Sequence, residues 1–326
     1  MKIRSAVLII AISLLATAST LRAQTDEVKL PAAKSKITSV SAMRVRRSPQ
    51  TSAEEVTRLK LGTVVSAVAR SANQDTVAGK SDYWYRVSLP NGESGWLFGG
   101  LLLDYNSAER DQLLKQIIDD RLKAEKTEFA DRQEIYNLAA NSIAEARDAN
   151  TRGEFELLKV LALRNWAGTV PDNLKDKSPY REWFKTHGAS FIPNEFGGGY
   201  ELRTEVLWNL ETKYHTLPVG ERIAWEAAEN PQPSDCEGDD VCNFFGLDGE
   251  IKYLGLHPKG AHVTEALKNL NEGLTDDVIK ESKSKGGDKY GVEQRAELRK
   301  TLAKLRLALG KVTAPEKSEL LRKLGQ

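Results

Sequence analysis

Apolar side chains alternate with charged ones along residues 43–46 and with arginine and serine along residues 84–89, and residues 64–69 are rich in valine and alanine. Alternation places apolar side chains on one face of an extended chain, so these segments predict half-buried β-strands. The Asn-Gly pair at 91–92 follows the last of them and is the strongest short signal for a β-hairpin, because both turn positions require positive φ. The pattern predicts a small β-barrel over residues 37–104.

The apolar spacing changes to three and four residues from Ser107 onward, which is the period of an amphipathic helix. Ser107 is a plausible first N-cap, with acidic side chains in the turn after it. We therefore expect an all-α domain over residues 105–282. A Lys-, Ser- and Gly-rich linker over 283–291 precedes C-terminal helices over 292–326. The expected fold class is α+β and multidomain, with the small barrel first and the larger helical part after it.

Two segments of the helical part are similar at a constant offset. Each consists of a helix, a turn (217–220 in the first, 257–260 in the second) and another helix. The aligned positions are Tyr214, Leu217, Ala224, Glu226 and Ala227 in the first, and Tyr253, Leu256, Val263, Glu265 and Ala266 in the second. This pattern resembles tetratricopeptide-like helical hairpins. The alternative is two unrelated amphipathic hairpins.

Four short motifs occur in order within the predicted barrel. They are Val45-Arg46 with Pro49, Gly62-Thr63-Val64, Trp84-Tyr85-Arg86-Val87, and Gly95-Trp96-Leu97. In this order and spacing they resemble the bacterial SH3-like (SH3b) family, although Arg47-Ser48 replaces the usual small pair and residues 71–81 form a polar insertion. The resemblance implies an SH3-like β-barrel that binds cell-wall peptides or protein segments.

The candidate ligand-binding residues are aromatic. Trp84, Tyr85 and Trp96 offer large, stiff contact surfaces suited to extended peptides. Tyr83 and Tyr85 flank Trp84 on the opposite face of the strand, so at least one of them is expected to be exposed. The alternative for both tryptophans is that they fill the core of a barrel with few other core residues.

The first residues resemble a secretory signal peptide. Lys2 and Arg4 precede an apolar run over residues 6–16, and small or polar residues continue up to Ala23. The apolar run is too short to span a bilayer comfortably, so we expect cleavage after Ala23 and a secreted or periplasmic protein with no membrane span after signal cleavage. The alternative is an uncleaved anchor helix.

The charge of the chain argues against a nucleic-acid partner. The sequence has 47 basic and 46 acidic residues, and cleavage after Ala23 leaves it near neutral. Proteins that bind nucleic acid carry a basic excess that neutralises phosphates.

The two cysteines, Cys236 and Cys242, lie close together in a Pro-, Asp- and Gly-rich segment. In an oxidising compartment such a pair predicts a disulfide. A zinc site with His257 and His262 is the alternative, but two histidines at this spacing would not share one helical face.

No catalytic constellation stands out in the sequence. A cysteine nucleophile would need a free thiolate, His187 and His215 are isolated, and the glycines at 197–199 lack the lysine and hydroxyl of a phosphate-binding loop. We therefore expect no enzyme, no metal and no cofactor. The expected function is an envelope binding or scaffold protein whose barrel contacts a cell-wall peptide or an envelope protein segment. The alternatives are a cell-wall hydrolase with an acidic catalytic pair in the helical part, or a scaffold that acts through its helical repeats.

The expected organisation has six parts. They are a signal peptide (1–23), a linker (24–36), the SH3b-like barrel (37–104), the helical domain (105–282), a linker (283–291) and C-terminal helices (292–326).

Overall fold

The computed structural model describes residues 27–89, 92–124, 128–195, 198–230, 236–286 and 290–325. The predicted signal peptide, residues 1–23, lies outside these ranges.

The first part of the described chain is an antiparallel sheet of seven strands. They are β1 (Glu27–Thr38), β2 (Met43–Arg46), β3 (Glu55–Leu59), β4 (Val64–Val77), β5 (Lys80–Ser88), β6 (Ser94–Phe98) and β7 (Leu102–Asp104). The order in the sheet is β3-β2-β6-β5-β4-β1-β7. Apolar side chains from alternate positions form one cluster inside it, including Val45, Val65, Val87 and Leu97. The β-rich character of the predicted barrel is therefore confirmed, as a seven-stranded sheet whose end strands are β3 and β7. Closure of this sheet into a barrel is not confirmed.

Strand β1 corrects the predicted linker over 24–36. Residues 27–36 belong to this strand, which pairs with β4 from Glu27↔Ser71 to Ile37↔Val64 and with β7 near Thr38. Most β1 side chains are exposed, and the pairing register shifts between Lys29 and Lys34. The strand is held mainly by backbone pairing, so it leaves only a weak hydrophobic pattern in the sequence.

The polar segment 71–81 is a hairpin that extends β4 and β5. Ala78 and Gly79 form its turn with φ of 49° and 78°. Two positive φ values in succession match the right-handed twist of the flanking strands. Strands β5 and β6, on the two sides of the predicted Asn-Gly turn, run antiparallel from Trp84↔Phe98 to Ser88↔Ser94. Residues 90 and 91 lie outside the described ranges.

The rest of the described chain is mainly helical, with one two-stranded sheet. The helices are α1 (Arg110–Leu122), α2 (Phe129–Ser142), α3 (Ala149–Ala167), α4 (Tyr180–His187), α5 (Thr204–Tyr214), α6 (Pro218–Ala228), α7 (Asp240–Phe245), α8 (Asp248–Leu256), α9 (Val263–Gly273), α10 (Asp276–Lys283), α11 (Val292–Lys311) and α12 (Lys317–Lys323). Strands β8 (Phe191–Pro193) and β9 (Tyr200–Leu202) pair between α4 and α5. An α+β fold class agrees with this order of elements.

In the described part of the chain, three α-helices begin at a residue whose side chain caps the first turn. Asp148 accepts from the backbone N–H of Thr151 before α3, and Thr275 accepts from that of Val278 before α10. Asp239 caps α7 in the same way. Each cap satisfies one of the N–H groups that the first helical turn leaves without a partner.

The C-terminal helices share a core with the helices before them. Leu302 and Leu305 of α11 are buried in one cluster with Phe244 and Leu270, which lie on α7 and α9. The segment 283–291, expected to separate a C-terminal unit, thus connects helices that pack together. A charge- and glycine-rich connection in the sequence does not by itself indicate that the helices on its two sides are separate units.

The sheet and the first helices also share a core. Ile37 and Leu61 are buried in one cluster with Leu114 and Ile118 of α1. Glu134 of α2 adds a polar link, because its Oε2 accepts from the backbone N–H of Leu61 at 2.8 Å. The strands before residue 104 and the helices after it consequently pack against each other through one hydrophobic cluster.

Both predicted helix-turn-helix segments exist, as α5–α6 and α8–α9. Tyr214 and Tyr253 are both buried near the ends of the first helices. The resemblance to tetratricopeptide hairpins is not confirmed beyond this pairing of helices.

Cys236 and Cys242 form a disulfide, as predicted. It joins the segment before α7 to the first turn of that helix. The zinc alternative is excluded for these two thiolates because both sulfurs are used in the bond.

We expect the double variant Cys236→Ser/Cys242→Ser to lose about 2 kcal/mol of unfolding free energy, the loop-closure contribution of so short a loop. Urea denaturation of both proteins measures the difference. Alkylation of unfolded, non-reduced wild type is expected to add no label, and reduction first is expected to add two. Labelling without reductant would contradict the disulfide.

Candidate functional site

A pocket of about 410 Å³ opens on the seven-stranded sheet, next to the segment that leads into β2. Its apolar lining comes from several strands and from that segment: Val40, Met43, Val77, Trp84, Phe98 and Leu101. Ser41, Arg44, Arg46 and Thr51 supply its polar lining. A mainly apolar hollow with a few polar groups at its edge is the usual form of a ligand site.

Trp84 is the fixed wall of this pocket. Its side chain is 3% exposed, and its indole Nε1 donates to Asp75 Oδ2 at 3.0 Å. Its ring meets Phe98 edge-on, with 5.5 Å between the ring centroids. The backbone N–H of Trp84 donates to Ser71 Oγ. The polar residues 71–81 therefore position the tryptophan, a role that the sequence pattern did not reveal.

The polar edge of the pocket is partly satisfied by the protein itself. Arg46 Nη1 donates to the carbonyl of Ala53 at 2.8 Å, and Arg44 Nε lies 3.4 Å from Glu55 Oε2. Ser41 Oγ is buried and has no hydrogen-bond partner in the described part of the chain. An unsatisfied buried hydroxyl costs about 1 to 3 kcal/mol, which a polar ligand group can recover.

The predicted contact residues lie in different places. Trp84 lines the pocket, and Trp96, 5% exposed, packs with Trp84 and Phe98. Tyr83 and Tyr85 are both half-buried. Neither tyrosine is exposed, so the expectation of at least one exposed tyrosine is wrong.

Each tyrosine carries a cation on its ring. The guanidinium of Arg70 lies 3.9 Å from the ring centroid of Tyr83, and Lys36 Nζ lies 4.8 Å from that of Tyr85. Such contacts are attractive by about 0.5 to 1 kcal/mol at exposed sites. One face of each ring therefore already contacts a cationic side chain of the protein itself.

The comparison with known families decides what this sheet is. Residues 41–102 match the family model of the bacterial SH3 domain. The match covers about a fifth of the chain and contains the whole lining of the pocket except Val40. No curated protein and no solved structure matches the chain significantly. The SH3 domain is thus confirmed for this segment, and strand β1 lies outside the match.

The histidines considered for zinc have other partners. His257 Nε2 lies 3.2 Å from Glu211 Oε1, and His262 stacks on Trp225 with 4.6 Å between centroids. Among the described residues, no group of three or more His, Cys, Asp or Glu side chains is arranged to hold a metal ion.

Two glutamates of the helical part have raised pKa values. Burial raises the pKa of Glu250, which is 6% exposed and whose Oε2 has no partner in the described residues. Burial, and then the charges of Glu265 and Glu226, raises the pKa of Glu229. Glu250 is thus a buried carboxyl that folding favours in its neutral form.

We expect Glu250→Gln to become more stable relative to wild type as pH rises from about 4 to 7. A carboxyl whose pKa is raised by folding stabilises the protein below its unfolded pKa, and that contribution is lost as the group ionises in the folded state. The gain at pH 7 is expected to be about 1 to 3 kcal/mol, the cost of an unsatisfied buried polar group.

Urea denaturation at both pH values measures this effect, with the exposed Glu293→Gln as the matched control. A difference between wild type and Glu250→Gln that does not change with pH would show that Glu250 ionises normally.

Proposed function

We propose that this protein is exported and acts as a binding protein of the cell envelope, with the pocket of its SH3 domain holding a segment of a cell-wall peptide or of an envelope protein. The observation that carries this proposal is the pocket beside Trp84, which lies in the part of the chain that matches a family of binding modules.

The shape and chemistry of the pocket favour an extended segment with an apolar side chain. A volume of about 410 Å³ is at the small end of ligand pockets and suits one or two side chains. Trp84 and Phe98 offer rigid aromatic surface at low entropic cost. Arg44 at the edge of the pocket favours a nearby acidic group on the ligand.

Export is supported by two independent features. Residues 1–23 have the charge, apolar run and small residues of a secretory signal. The disulfide between Cys236 and Cys242 is a bond that persists in oxidising compartments. In the described ranges, no helix is both long enough and apolar enough to span a membrane.

The rings of Tyr83 and Tyr85 are the second candidate surface. A ligand that stacked there would first displace Arg70 or Lys36 from the ring. The pocket has no such competitor for its apolar wall among the described residues, so we place the main contact at Trp84 and treat the tyrosines as the surface to test against it.

Co-sedimentation with purified peptidoglycan tests the wall ligand. Thr51→Trp adds bulk at the exposed edge of the pocket and is expected to weaken retention at least tenfold. Ser88→Trp, also exposed but away from the pocket, is the matched control and is expected to be retained like wild type.

The double variant Tyr83→Ala/Tyr85→Ala separates the two surfaces. Retention that is lost in this variant but kept in Thr51→Trp would move the site to the tyrosine face. Absence of wild-type retention would reject peptidoglycan as the ligand. Release of soluble sugars or peptides during the incubation would favour the hydrolase alternative.

A further inference from the structure

A second pocket, of about 850 Å³, lies in the helical part. It is formed by the end of α1, the start of α2, the end of α3 and the beginning of α4. Leu122, Phe129 and Tyr180 contribute apolar surface, and Arg132, Arg164 and Asn165 contribute polar groups. The pocket lies outside the SH3 domain, so a ligand here is independent of the function proposed for that domain.

Arg132 of α2 is the unusual residue of this pocket. Its side chain is 8% exposed, and Nη2 donates to the carbonyl of Ala124 at 3.3 Å. Nε and Nη1 are buried without a hydrogen-bond partner in the described part of the chain. Burying a guanidinium costs several kcal/mol unless charges and hydrogen bonds compensate it, so buried arginines are almost always paired.

Among the described residues, Asp131 is the carboxylate that favours the charged form of Arg132, and it does not compensate this arginine fully. Glu128, which precedes α2, also lines the pocket and is exposed. Arg121 lies close enough to repel it, and together with burial this lowers the pKa of Arg132. Asp131 is shared with Arg121, whose Nη2 lies 3.5 Å from Asp131 Oδ2 and whose own Nε is buried without a partner among the described residues. Arg164, on the other side of the pocket, is paired with Glu226 at 3.2 Å.

The remaining wall is suited to an apolar group. Phe129 packs edge-on against Tyr180, with 4.8 Å between centroids, and lies 5.1 Å from Trp166. These contacts hold the ring of Phe129 beside Arg132 on the same helix. The volume lies within the range of small-molecule sites.

We propose that this pocket binds a small carboxylate ligand, with the carboxylate on Arg132 and an apolar group against Phe129 and Tyr180. One incompletely compensated guanidinium matches a monoanion better than a phosphate dianion, because Arg164 already has a partner. Nε and Nη1 of Arg132 are covered in the present arrangement, so binding is expected to turn its flexible side chain toward the cavity.

Nuclear magnetic resonance of the arginine Nε–H groups, in the protein prepared without residues 1–23, tests this proposal directly. The probe is sodium phenylacetate, and phenylacetamide is its neutral counterpart of the same shape. We expect phenylacetate to shift the Arg132 resonance, assigned by its loss in Arg132→Lys, in a saturable manner at millimolar concentrations. Phenylacetamide is expected to bind at least tenfold more weakly.

Two arginine variants complete the test. Arg132→Met is expected to abolish saturation, whereas Arg58→Met, an exposed arginine of the SH3 domain, is expected to leave it unchanged. Equal binding of phenylacetamide, tighter binding of inorganic phosphate, or no saturable shift in wild type would each overturn the proposal. The wild-type titration decides even if Arg132→Met does not fold.

Discussion

Trp84→Ala is expected to lower the free energy of unfolding by about 3 to 5 kcal/mol, the range for deleting a buried tryptophan side chain. The side chain is 3% exposed, packs against Phe98 and Trp96, and holds Asp75 through its indole N–H. The same change removes the wall of the pocket. We therefore expect both the stability of the SH3 domain and its ligand binding to fall.

Urea denaturation followed by tryptophan fluorescence and by far-ultraviolet circular dichroism measures the loss. Trp84→Phe is expected to lower the unfolding free energy less, because it keeps an aromatic ring in the core. Its remaining cost includes the lost hydrogen bond to Asp75, worth about 1 kcal/mol. Trp208→Ala, a half-buried tryptophan in α5, controls for loss of a fluorophore. A loss below about 1 kcal/mol for Trp84→Ala would show that the ring does not pack as described.

Leu61→Ala is expected to cost about 2 to 5 kcal/mol, although Leu61 belongs to the SH3 domain. Its side chain is 5% exposed and lies in the cluster that joins the sheet to α1 and α2, and its N–H donates to Glu134. Because the two parts share this cluster, the loss is expected to appear in the helical signal as well as in the signal of the sheet.

Circular dichroism during thermal unfolding tests this coupling, with one wavelength that reports on the helices and one that reports on the aromatic side chains. The exposed Val64→Ala, on the neighbouring strand, is expected to change stability by less than about 0.5 kcal/mol. Helical melting that stays at the wild-type temperature in Leu61→Ala would indicate that the sheet and the helices unfold independently.

Features with a strong local pattern could be predicted from the sequence. The alternation around Trp84, the Asn-Gly turn and the ordered motifs indicated the SH3 domain, and the family match confirms it. The pair Cys236 and Cys242 indicated the disulfide because two cysteines this close in sequence, in a chain expected to be exported, favour oxidation.

Features that depend on contacts between distant segments could not be predicted. Strand β1 exposes most of its side chains, so its polar and alanine-rich sequence gives no clear period. The pocket on the SH3 domain brings Val40, Val77 and Phe98 together from three separate elements. Arg132 is one of many arginines in a charged helical sequence, and only its burial distinguishes it.

The position of Trp84 also shows why its two sequence interpretations were not exclusive. A buried tryptophan was expected to be either core or ligand contact, whereas this ring is 3% exposed and still lines the pocket. A small domain has few large side chains, so one ring serves both packing and the wall of a site. Trp96 lies behind it in the same cluster.

Titration of the labelled protein, prepared without residues 1–23, with soluble peptidoglycan fragments tests the central claim most directly. The account predicts saturable shifts of the Trp84 indole N–H and of the backbone amides of residues 40–44, with none at Ser88. Thr51→Trp is predicted to weaken this binding at least tenfold. Shifts confined to the helical part or to the tyrosine face, or no shifts with any wall fragment, would contradict it.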